Sequence, residues 1–160
     1  QTIDGPWAVE FKNPVIGVDE KLTLDALMDW SKSEKDSVKY YSGTAVYSAE
    51  FDLDSVPQDK DIYIDLGQVH VMAQVSVNGK PAGGVWMAPY VLPVTNLVQP
   101  GRNMLQVETV NLWRNYLVKE CALPQDQRKT WLLVSDVKEG EALQPSGLVG
   151  PVVLKTFERD

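Results

Sequence analysis

Between Val38 and Leu53 the chain alternates with a period of two. Tyr41, Gly43, Ala45, Tyr47, Ala49, Phe51 and Leu53 share one face, and the mostly polar Tyr40, Ser42, Thr44, Val46, Ser48, Glu50 and Asp52 share the other. Residues two apart lie on one side only in an extended chain, so this run is a half-buried strand, bent or bulged at Gly43. Shorter runs repeat the pattern. Ile62, Ile64 and Leu66 form a strand that ends at Gly67, and Val71, Ala73, Val75 and Val77 form the next. Asn78-Gly79 supplies the two positive-φ residues of a tight hairpin, and Lys80 to Trp86 returns beside it. A strand at Leu105–Thr109 opens from the turn Gln99–Asn103, and a last one runs from Val149 to Phe157. One helix is predicted, with Thr23 capping Leu24 to Trp30 and with Leu24, Leu27 and Met28 on one face. Short strands, frequent turns and little helix predict an all-β antiparallel sandwich or barrel.

Its 160 residues suit one domain, 1–160, with 44% apolar residues to build a core. Acidic residues outnumber basic ones 22 to 15, a formal net charge of −7, and Arg102, Arg114, Arg128 and Arg159 are scattered. Such a chain repels a phosphate backbone, so no nucleic-acid partner is expected. No apolar run is long enough to span a membrane, and Gln1–Trp7 lacks the basic head and apolar run of a signal peptide. Cys121 stands alone, which excludes an intrachain disulfide and a thiolate metal cluster. His70 is the single histidine, so no Ser-His-Asp order is persuasive, and both residues read as packing. A glycosidase needs two carboxylates about 5–9.5 Å apart, and no such pair emerges from the spacing of the acids. Asp52, Asp54, Asp59 and Asp61 lack the spacing of a calcium loop, so no metal or cofactor is indicated.

The runs Tyr41–Tyr47, Asp65–Gly67, Ala73–Lys80, Trp86–Tyr90, Pro100–Asn103 and Val107–Asn115, in that order, resemble the sugar-binding-type jelly-roll domains of glycoside hydrolases. They resemble above all the domain at the C-terminal end of family 106 α-L-rhamnosidase-like proteins, and more distantly the family 2 domains. Gly5-Pro6-Trp7 and Pro145–Val152 look like that domain's two ends, and the pattern departs at Tyr116–Glu120. The resemblance implies a galactose-binding-like β-sandwich, one module of a bacterial periplasmic or extracellular enzyme that degrades plant polysaccharide. Its catalytic carboxylates would lie in another domain. Structural calcium also occurs in such sandwiches.

Sugar recognition calls for an aromatic face and planar polar groups. Trp113, Arg114, Asn115 and Tyr116 supply both at a strand-to-loop transition. The plainer alternative is that Trp113 closes the end of the sandwich while Asn115 caps loop backbone. Trp86 and Tyr90, around Pro89, are a second aromatic candidate, with packing into the core or against a neighbouring domain as the alternative. Trp131 reads as a stacking residue or, preferably, as the anchor of its long loop, whereas Trp7 and Trp30 read as core plugs. The expected role is a non-catalytic carbohydrate-binding or accessory domain; the alternative is a brace for the catalytic domain that binds no sugar. The brace predicts one contiguous apolar patch of Trp86, Tyr90 and Trp131.

Overall fold

A computed structural model describes residues 1–132 and 136–159. Its framework is a six-stranded antiparallel sheet in the order β2-β1-β3-β9-β6-β7. These strands are β1 (Trp7–Asn13), β2 (Val18–Leu24), β3 (Thr44–Leu53), β6 (Met72–Val77), β7 (Lys80–Val85) and β9 (Gly101–Val110). Facing it are β11-β4-β8, formed by Val153–Glu158, Lys60–Asp65 and Val91–Pro93, and the pair β10-β5, formed by Gly147–Gly150 and Gln68–His70. Both layers feed one core. Val9, Phe11, Ala45, Tyr47, Leu105, Val107 and Val75 come from the large sheet, and Ile62, Ile64, Leu66, Val69, Leu148 and Leu154 come from the other layer. The expected antiparallel β-sandwich is therefore what forms.

The core turns on aromatic contacts. Trp30, on a short 3-10 turn (Trp30–Lys32), is fully buried and packs edge-on against Phe11 and Tyr41, with ring centroids 5.1 and 5.6 Å apart. It lies parallel to Tyr47 at 6.3 Å, and its Nε1 donates to the Tyr47 hydroxyl at 2.5 Å. The Leu148 amide donates to the same oxygen at 3.2 Å, so one phenol joins the two layers. Gly147 has φ 87°, and a Cβ there would run into the Trp30 indole. Glycine is thus required on two counts, by backbone sign and by space. Trp7 is buried as well, as expected of a core plug.

Asn78 and Gly79 have φ 53° and 73°, the signature of a two-residue hairpin turn whose twist matches its strands. The predicted Val38–Leu53 strand begins only at Thr44. Before it, α1 (Asp36–Lys39) makes a single turn, and Gly43 at φ 133° redirects the chain. The predicted Leu24–Trp30 helix does not form. Leu22 and Leu24 continue the alternation of β2, and Trp30 leaves for the core. The longer helix is instead α2 (Arg114–Cys121), within the stretch where alternation lapses. The predicted last strand divides at Gly150-Pro151 into β10 and β11, which join different sheets.

Tyr47→Phe is expected to leave two buried donors, Trp30 Nε1 and the Leu148 amide, without an acceptor. The loss should be about 2–4 kcal/mol, read as a lower midpoint in urea denaturation.

Candidate functional site

The run Trp113–Tyr116 opens α2 and mostly faces protein. Trp113 is 40% exposed and meets Tyr116 edge-on at 5.8 Å. The Arg114 guanidinium donates to Glu141 at 2.5 Å and to Asp136 at 3.3 Å. Asn115 is 2% exposed: its amide donates to the Gln144 carbonyl at 2.7 Å and to Ser146 Oγ at 3.0 Å, and its oxygen accepts from the Gln144 amide at 2.8 Å. Both donors of that side chain and its oxygen are engaged by the strap that leads into β10. Tyr116 is buried, and burial pushes its hydroxyl up to about 12, with Glu120 beside it adding to the shift. This run therefore fastens the 136–146 segment to α2, and only parts of Trp113 and Arg114 meet solvent.

The next segment is anchored by Glu120 rather than by Trp131. Trp131 is 77% exposed, and of its run Thr130–Leu133, Leu133 lies outside the described residues. Glu120 is 3% exposed and accepts from the Lys129 amide at 2.6 Å, the Thr130 amide at 3.1 Å and the Thr130 hydroxyl. Burial works against its charge, but these bonds, with one from Tyr116, outweigh it and hold the carboxyl below its ordinary value of 4.5. Lys129 then reaches across to the Ile16 carbonyl at 2.7 Å. Trp131 lines a hollow with Leu117, Arg128 and Lys138, apart from the hollow that holds Trp86. Tyr90 is half-buried against the core, and its carbonyl accepts from the Leu66 amide at 2.9 Å. The three aromatics thus do not line one common hollow.

Exposed aromatic and free polar groups meet elsewhere, on the outer face of the large sheet. Trp86, just past β7, is 69% exposed and lines a hollow of about 350 Å3 with Met72, Val110, Gln74 and Glu108. Register explains the grouping. Gln74 on β6 pairs with Glu108 on β9 and with Gly84 on β7, and Met72 pairs with Val110. These are outward positions of an alternating pattern, and Gly84 contributes no side chain, so the surface dips. A second hollow of about 290 Å3, lined by Ser76, Pro81 and Gly83, shares Gln74, Gly84 and Glu108 with the first. Together they form a groove along the β6–β7 edge. The Met104 amide donates to Asn78 Oδ1 at 2.9 Å, which pins the hairpin to β9. Among the described residues neither Gln74 nor Glu108 has a side-chain hydrogen bond or ion pair, so both are free for a ligand. Of the sequence candidates, only Trp86 lines this groove; Met72, Gln74 and Glu108 were missed. Among the described residues no group of three or more His, Cys, Asp or Glu side chains could hold a metal ion.

No model of a known protein family matches the chain. A curated protein of Formosa agariphila, provisionally named a β-glucuronidase, is 37% identical over 178 residues, which is 96% of this chain and 15% of that protein. The structure of a rhamnosidase from Novosphingobium sp. PP1Y superposes with a TM-score of 0.89 at 36% identity, over 98% of this chain and 15% of that one. A β-D-glucuronidase of Dictyoglomus thermophilum matches at TM-score 0.68 and 15% identity, covering 99% of this chain and 28% of its own, and shares the fold alone. The fold is thus the galactose-binding-like sandwich found within glycoside hydrolases. The resemblance to a rhamnosidase domain holds, and the chain spans about 15% of the length of its two more similar relatives.

Because the folded pKa of Glu120 lies below its unfolded value, its stabilisation is complete above pH 4.5 and is lost as the pH falls through the folded value. Glu120→Gln should lower stability at pH 7 by about 1.5–3 kcal/mol. The gap from the unsubstituted chain should narrow below pH 4.5, followed by urea denaturation at stepped pH.

Proposed function

We propose that this chain is a non-catalytic carbohydrate-binding domain of a larger α-L-rhamnosidase-like glycoside hydrolase acting on plant polysaccharide. The saccharide would lie in the groove beside Trp86. The observation that carries this reading is the convergence of an exposed indole with an unengaged amide and carboxylate over a floor of small residues. The apolar face of a pyranose suits the indole, while Gln74 offers a donor and an acceptor and Glu108 two acceptors for hydroxyls. The combined hollows fall within the range of small-ligand sites. On this reading residues 1–160 are one module, the catalytic carboxylates belong to another domain of the parent enzyme, and the parent works in the periplasm or outside the cell.

A second reading is favoured by a different observation. Trp131 and Leu132 are exposed well away from the groove, and an apolar surface of that kind suits a neighbouring domain of the parent enzyme. In that case the module braces the catalytic domain and binds no sugar itself.

Titration with rhamnose, galactose, arabinose and short pectic oligosaccharides, followed by tryptophan fluorescence, separates the readings. Carbohydrate binding predicts a saturable change at millimolar or lower concentration that Trp86→Ala abolishes and Trp113→Ala preserves. Because Trp86 is exposed, its removal should move stability by less than about 0.5 kcal/mol. No response at tens of millimolar sugar would leave the brace.

A further inference from the structure

The groove carries its own charge. Across β3, β9, β6 and β7 one row of outward positions reads Val46, Glu108, Gln74 and Gly84. The flanking rows are Thr44, Val110 and Met72 on one side, and Ser48, Gln106, Ser76 and Pro81 on the other. Among the described residues that line either hollow, Glu108 is therefore the one charged side chain. Cations on this face stand away from it. Lys21, on β2, is held by Glu10 at 2.6 Å, and Arg102, at the far end of β9, faces Glu50 at 3.5 Å. Lys12, on β1, lies two strands from β9, about 10 Å away at ordinary strand spacing. Lys80, in the hairpin, lines neither hollow.

We infer that the groove selects neutral saccharides and excludes uronates and other anionic sugars. The inference rests on the carbohydrate-binding reading and names the ligand class of that site. Two physical effects act together. A carboxylate with no cation beside it accepts hydrogen bonds from two neighbouring hydroxyls of a neutral ring, a charge-assisted pair stronger than neutral ones. The same carboxylate repels a ligand carboxylate held a few ångströms away, and the chain's net charge of −7 adds to the repulsion at longer range. Selectivity of this kind comes from the penalty against the wrong ligand as much as from contacts to the right one. Among the described residues that line the two hollows, none offers the guanidinium or ammonium that would hold a uronate.

The test is titration of the 160-residue chain with pairs that differ at C6 alone: methyl glucoside against methyl glucuronide, and methyl galactoside against methyl galacturonide, with rhamnose as a further neutral sugar. The expected result is saturable binding of at least one neutral sugar and binding of the uronates at least tenfold weaker. Raising the salt should narrow that gap, because screening weakens charge repulsion and leaves shape unchanged. Glu108→Gln should bring a uronate to within threefold of its neutral partner, and Gln74→Glu should weaken uronates further. A uronate that binds as tightly as its neutral partner, or a gap that Glu108→Gln leaves unchanged, overturns the inference while the carbohydrate-binding reading stands. Binding of no sugar at all overturns that reading and this inference with it.

Discussion

The Tyr47 hydroxyl, shared by the Trp30 indole and the Leu148 amide, is the joint on which the sandwich closes. It lies in the core, where an unpaired donor is costly and a bond between two dry groups is strong. Burial pushes the phenol well above its ordinary range, which keeps it protonated and neutral. Around it Phe11, Tyr41 and Trp7 form edge-to-face contacts that fix ring orientation, each worth about 0.5–1.5 kcal/mol beyond area burial. Gly147 allows β10 to pass directly over the indole. Every large ring of β1 and β3 is turned inward, and the opposite face of the sheet carries the mixed outward row of Val46, Glu108 and Gln74. That face holds the groove.

Much of this was legible in the sequence because alternation is a local signal. The inward set of β3, Ala45, Tyr47, Ala49 and Phe51, is the buried set, and Asn78-Gly79 forms the expected turn. The helix assigned to Leu24–Trp30 failed because Leu24, Leu27 and Met28 imitate a helical stripe while Thr23 and Leu24 complete a strand whose partner is β1. Pairing across strands overrode local preference there. The converse error hid α2. Its buried positions include Asn115 and Glu120, polar residues that erase the apolar stripe by which a helix is recognised. Both are buried because they are saturated with hydrogen bonds, a condition invisible without the strap and loop they hold.

The site was half legible for the same reason. Aromatic residues announce themselves in a sequence, so Trp86, Trp113 and Trp131 could all be singled out. Their partners could not. Gln74 and Glu108 look like ordinary outward residues until register sets them side by side across β6 and β9. Asn115 shows the opposite case: it has the chemistry of a sugar ligand, yet its amide is engaged by the Gln144 backbone and the Ser146 hydroxyl. A shared fold leaves such details open, and the relatives illustrate the point, one being named a rhamnosidase and another a glucuronidase. The scaffold is common, whereas in the proposed reading ligand choice rests on a few outward side chains.

The most direct measurement of this account is residue-resolved chemical-shift mapping of the isotopically labelled chain during titration with a neutral saccharide. The account predicts saturable shifts at the Trp86 indole, the Gln74 side-chain amide, the Gly83 and Gly84 amides and the Met72 methyl, with Asn115 and Gln144 unmoved. Shifts centred on Trp113 and Arg114, or on Trp131 and Arg128, would contradict it and move the binding site to α2 or to the loop that follows.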